Sequence, residues 1–237
     1  MCIRDRGIRT LKPFAGTPAT GVGMLVNLQR FNALDNADLW RTASAWLLEL
    51  DQTHCALPAL CYFPETDDTQ SWVASVGSLL DSGALLLSTQ PVDWDNLTSA
   101  IHQGPMIVLA TGVPTVIEIG RAAGLPIDPP VPLAQMRPDG SGHVADISVT
   151  REQYLDALDQ ISSIVQVPDD EREAAWLRFA AVRASYDRAL RGLAGLTLAA
   201  PASWTTARPA VVDRPRLLTS RPIEVDWTLR PEEDSRA

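Results

Sequence analysis

The sequence is poor in the residues that bind and react: one lysine, Lys12, three cysteines and three histidines among 237 residues. Nucleic-acid affinity comes chiefly from clustered Lys and Arg that displace counterions, and with a net charge of -9 no nucleic-acid partner is expected. The cysteines are odd in number, and Cys55 with Cys61 lacks the CxxC spacing of a zinc site or redox pair. Reduced thiols and a cytoplasmic location are the expectation. His54, His102 and His143 stand far apart, none with a second histidine three to five residues away. No metal site and no cofactor is therefore expected. GxSxG, Walker, HExxH and GxGxxG motifs are absent, so no residue is assigned a catalytic role and the chain does not read as an enzyme. Long apolar runs are missing too. Val73 to Leu87 is interrupted by Asp81, and Met106 to Ile119 by Pro114. Both fall short of the roughly 20 residues that cross a bilayer, and no transmembrane segment is expected within the chain.

What the chain has is a hydrophobic content of 46%, enough for one large core or two small ones. The first six residues, MCIRDR, are what ATGTGTATAAGAGACAG plus one further base encodes, which matches a transposon adapter used in sequencing libraries. Residues 1–6 thus read as a scar, with the biological start expected upstream.

Periodicity then predicts helix after helix. A connector with Pro13, Gly16 and Pro18 leads into a helix near Val22 to Phe31, and GVG at 21–23 is too short for a phosphate loop and reads as helix entry. Asp35 or Asn36 caps a helix of about four turns carrying Leu39, Trp40, Ala43, Trp46, Leu47 and Leu50 on one face. Pro58 and Pro64 make HCALPALCYFP a poor helix interior, so the stretch from His54 reads as a loop. Asp67, Asp68 or Thr69 restarts a helix through Leu87, stopped at Pro91. From Asp95 to Gly124 the pattern is again helical, but Pro105 and Pro114 predict either a kinked helix or two short ones.

Residues 128–149, rich in Pro and Gly and with a turn at DGSG 139–142, form the clearest boundary. Thr150 and Gln153 make a capping box ahead of Tyr154, Leu155, Leu158, Ile161, Ile164 and Val165. The last helix starts at Pro168, with Asp169, Asp170 and Glu171 at its positive end and Arg183, Arg188 and Arg191 toward the other. Its buried stripe is Trp176, Phe179, Val182 or Arg183, Tyr186, Leu190, Leu193 and Leu196, and Pro201 ends it. Carboxylates at 67–68 and 169–171 read as caps, not acid–base pairs. Trp40, Trp46, Trp72 and Trp176 read as core. Gly192, Gly195 and Ala199 suggest close helix approach, and IEVDWTL at 223–229 hints at an extended arm.

The expected fold is all-α, an irregular helical bundle of two subdomains with an extended Pro-rich C-terminal tail. The division is 7–127 for an N-terminal helical subdomain, 128–149 for a linker, 150–200 for a C-terminal helical pair, and 201–237 for an extended or disordered tail.

Trp40 and Trp46 lead to a helix end at His54; Pro58, Leu60, Tyr62 and Phe63 follow, then Gln70-Ser71-Trp72 and Leu79-Leu80-Asp81. This order, over about residues 11–204, resembles the cytosolic helical region that follows the two-helix pore in bacterial potassium-channel-family proteins. Trp46, His54, Pro58, Phe63 and Trp72 are the pattern positions, and no catalytic or ion-binding role comes with them. The resemblance implies a regulatory or assembly domain on the cytoplasmic face of a bacterial inner membrane, a homo-oligomer through a pore lying upstream. Phe63 and Trp72 would then pack back on the Trp46 helix. No filter sequence occurs in the chain itself. The alternatives are a soluble small-molecule-binding protein or enzyme, its ligand unknown, and a soluble helical interaction module.

Overall fold

Helices begin where a side-chain oxygen takes up the free N–H groups of a first turn. In the computed structural model, which describes residues 11, 13–63, 71–89, 100–130, 147–199 and 202–204, Thr20 receives the Gly23 amide at 3.0 Å and starts α1, Gly21–Arg30. Asn36 receives the Asp38 and Leu39 amides and starts α2, Ala37–Ala56. Ser71 caps α3, Trp72–Ser88. After α4, Ala100–Ala122, the Thr150–Gln153 capping box starts α5, Arg151–Gln160, with bonds of 3.3 and 2.9 Å in the two directions. α6 is Arg172–Thr197. Single 3-10 turns occupy Pro58–Tyr62 and Asp169–Glu171, and no strand occurs among the described residues. The protein is all-α.

Several boundaries differ from the sequence reading, each for a local reason. α2 runs to Ala56, so His54 and Cys55 sit in its last turn and not in a loop; Pro58 acts only beyond that end, opening the 3-10 turn. The cap of α3 is Ser71, whose hydroxyl lies directly before the first turn, in place of the acids at 67–68. Those acids lie outside the described residues. α4 is one helix with Pro105 and Pro114 inside it. As a result Gln103–Ala122 is by length and composition long and apolar enough to cross a membrane, which the interrupted sequence run is not; 56% of it is buried inside the fold. At α6 the acids give no side-chain cap: Asp169 instead pairs with Arg172 at 3.0 Å. Leu198, in the left-handed conformation with φ 52°, ends α6.

α3 is the centre. Every residue from Trp72 to Ser88 is buried, and α1, α4 and α6 pack around it. Two kinds of close approach fix that arrangement. A β-carbon at Gly21 of α1 would lie 2.7 Å from the Asp81 β-carbon and 3.0 Å from backbone atoms of Asp81 and Ser82, so the two backbones meet there. Gly104 and Gly112 of α4 receive the Trp40 ring and the Leu47 and Leu80 side chains. The spacing of those contacts sets α4 parallel to α2 and antiparallel to α3. Burying side chains such as Leu79, Leu80 and Leu85 is worth about 1.5–3 kcal/mol each. Helices on both sides of residues 128–149 share one hydrophobic core, from Leu25 and Trp40 through Val113 to Phe179 and Leu193. The two expected subdomains are thus packed as one, with Gly192 of α6 seated on Leu125 just after α4. Of the expected linker and tail, 131–146 and 205–237 lie outside the described residues.

Candidate functional site: a buried arginine and carboxylate cluster

A helix buried on all sides has no solvent face on which to place an acid, so Asp81, in the middle of α3, is fully enclosed. Across from it, Arg183 of α6 lies on the apolar stripe with Phe179 and Tyr186, four residues before and three after, and is likewise without exposure. Arg183 Nη1 donates to Asp81 Oδ1, and Nε donates to Asp187 Oδ1 at 3.0 Å, one helical turn on. Nη2 donates to Ser148 Oγ at 3.1 Å and to the Trp204 carbonyl at 2.9 Å. The Tyr186 hydroxyl donates to Asp81 Oδ1 at 2.9 Å, and its ring lies 4.9 Å from the Arg183 guanidinium carbon. Ser148 gives both its amide, at 3.1 Å, and its hydroxyl to Asp187. Arg191 approaches the other Asp187 oxygen at 3.8 Å. The cluster joins α3, the chain entering α5, α6 and the segment beyond it.

Burial pushes the Asp81 carboxyl above its ordinary range, and the Arg183 charge and the Tyr186 hydroxyl pull it back only in part. Burial alone would lower Arg183, but Asp81, Tyr186 and Asp187 outweigh it and hold the guanidinium more firmly charged than usual. Tyr186 is held well above its ordinary value by burial first and by Asp81 second, and so remains a donor. Chemically the arrangement holds charge rather than moves it: its cation cannot lose a proton, and each carboxylate already accepts from several donors.

Of the pattern positions named from sequence, His54 and Trp72 meet at the start of α3. His54 is buried and its ring lies against Trp72, centroids 4.9 Å apart and planes tilted by 41°. Its Nδ1 lies 3.0 Å from the Leu50 carbonyl. Trp46 is buried one face further back along α2, and Pro58 opens the turn in which Cys61 is enclosed. Tyr62 reaches across to give its hydroxyl to the Ala123 carbonyl at 2.8 Å, tying this corner to the end of α4. Phe63, half exposed at 50%, stands outside the core in which Trp72 is enclosed. Cys55 donates to Asp51 at 3.3 Å, and burial, with Asp51 beside it, pushes its thiol up to about 12. Among the described residues no group of three His, Cys, Asp or Glu side chains converges as a metal site.

Sequence reasoning did not single out the Arg183 cluster, although two signals marked it. Asp81 interrupts an otherwise apolar run, and Arg183 competes with Val182 for a place on the buried stripe. Each polar residue in an apolar frame needs a partner, and these two are each other's. Comparison with known proteins gives no match: no family model, no curated protein and no solved structure matches the chain. The class is set by fold and site: an all-α bundle built round a buried arginine and carboxylate cluster.

Proposed function

We propose that this chain is the regulatory or assembly region of a bacterial ion-channel-like membrane protein, without catalytic activity of its own, placed at the cytoplasmic face of the inner membrane and assembled as a homo-oligomer through a pore upstream. The observation that carries the reading is the ring contact of His54 with Trp72. These are two positions of the potassium-channel-family resemblance, and their contact closes the corner between α2 and α3 around the turn at Pro58. The resemblance supplies the channel; the packing supplies a means of acting.

That means is mechanical. α1 follows the N-terminal connector and rests by Gly21 on the backbone of Asp81, the residue that anchors Arg183. A displacement of α1 cannot be absorbed by a soft side chain at that contact. It is passed to α3 and the charge cluster, so that two packings of the bundle would correspond to two states of the connector. The reading frame upstream of Gly7 in the source DNA, where the adapter sequence joins, tests the proposal. Two apolar spans of about 20 residues around a filter-like loop are expected, and a soluble leader or soluble domain in their place would overturn it.

A further inference from the structure

We propose that residues 202–204 form a releasable strap over the Arg183 cluster, held shut by the Trp204 carbonyl and ring. This inference rests on the cluster alone and not on the channel reading.

Beyond α6, Ala202 is buried and Trp204 half-buried beside Arg183. At its inner end the strap makes three contacts. The Trp204 carbonyl accepts from Arg183 Nη2 at 2.9 Å and lies 3.3 Å from Ser148 Oγ, whose proton goes to Asp187, and the Trp204 ring meets the Phe179 ring edge-on at 5.6 Å. Phe179 belongs to an aromatic group with Tyr154 and Trp176, so the strap covers a place where α5 and α6 meet.

Two features make the contact separable from the core. Arg183 keeps its bonds to Asp81 and Asp187 when Trp204 leaves, since these use other nitrogens. And Trp204 itself stands at φ 69°, in the left-handed region that side chains with a β-carbon avoid. The closed conformation is therefore imposed by its contacts, and the backbone relaxes when they are lost.

Native-state cleavage of the full chain by chymotrypsin, followed by hydrogen exchange, tests this. Cleavage after Trp204 is expected to proceed at a rate independent of urea below the unfolding transition, because local release suffices. In Trp204→Ala the Ser148 amide, which donates to Asp187, is expected to exchange about tenfold faster, the size of one hydrogen bond lost, while α3 amides are unchanged. Cleavage that follows global unfolding would overturn the strap, making Trp204 ordinary core. Unchanged exchange at Ser148 would overturn it as well, leaving an end that frays without touching the cluster. Should Trp204→Ala fail to fold, the wild-type cleavage experiment decides alone.

Discussion

At the scale of a residue, Arg183 is the point of greatest leverage. Taking one guanidinium and two carboxylates out of water costs several kcal/mol per ion, and that cost is offset only while every member has its partner. Arg183→Met keeps the side-chain length and apolar packing but leaves Asp81 and Asp187 enclosed without their cation. A loss of about 3–5 kcal/mol in urea unfolding is expected, against well under 1 kcal/mol for Arg41→Met, whose exposed pair with Asp38 spans 3.2 Å. The pH dependence separates burial from pairing. Because the Asp81 pKa is raised above its ordinary 3.8 in the folded state, its contribution to stability is fully present below that value and is lost as pH rises through the folded pKa. The stability of wild type relative to Asp81→Asn should accordingly be greatest in acid and shrink toward neutrality, as urea titrations at pH 4 and pH 7 would measure. A difference that instead grew with pH would mean that the Arg183 charge outweighs the burial of the carboxyl.

Elements were legible wherever their signals are local. Asn36, one of two caps the sequence offered, and the Thr150–Gln153 box act on amides two or three residues away, so short-range chemistry alone placed those helix starts, whereas Thr20, the cap of α1, was not singled out. The end of α2 was read too early because Pro58 constrains only its predecessor, and the helix is free to continue to Ala56. The continuity of α4 was one of two readings that the sequence left open. Its prolines each remove one hydrogen bond, and what holds the helix through them is contact with α2 and α3 at Gly104 and Gly112. The cluster was hidden, since Asp81 and Arg183 are brought together only by the antiparallel packing of α3 on α6, from positions 102 apart. Gly21 belongs to the same category: as a helix entry it was visible, as a seat for Asp81 it was not. Gly21→Ala gains helix propensity but drives a β-carbon to 3.0 Å from the backbone of α3, where no rotamer change can relieve it. A net loss of about 1–3 kcal/mol is expected from such overpacking, and a variant as stable as wild type in urea would show that α1 does not rest on Asp81.

For the whole molecule the question is whether copies associate. Among the described residues the large apolar side chains left exposed are Phe31, Leu48, Leu57, Phe63, Ile107 and Leu198. Leu57 and Phe63 flank one short turn, and single exposed apolar residues elsewhere need no explanation. Against any association stands a net charge of -9, which makes copies repel one another at low ionic strength. Salt shortens the range of that repulsion from about 30 Å at 0.01 M to about 3 Å at 1 M and leaves apolar contacts intact. A region that meets its copies around a pore should therefore be monomeric in dilute buffer and self-associate as salt rises, and Leu57→Ser with Phe63→Ser should weaken the association without lowering the melting temperature, since neither side chain is in the core. Sedimentation equilibrium across that salt range is the measurement. A strict monomer at every salt and protein concentration would remove self-contact from the proposed mechanism and leave symmetry to be imposed by the pore alone.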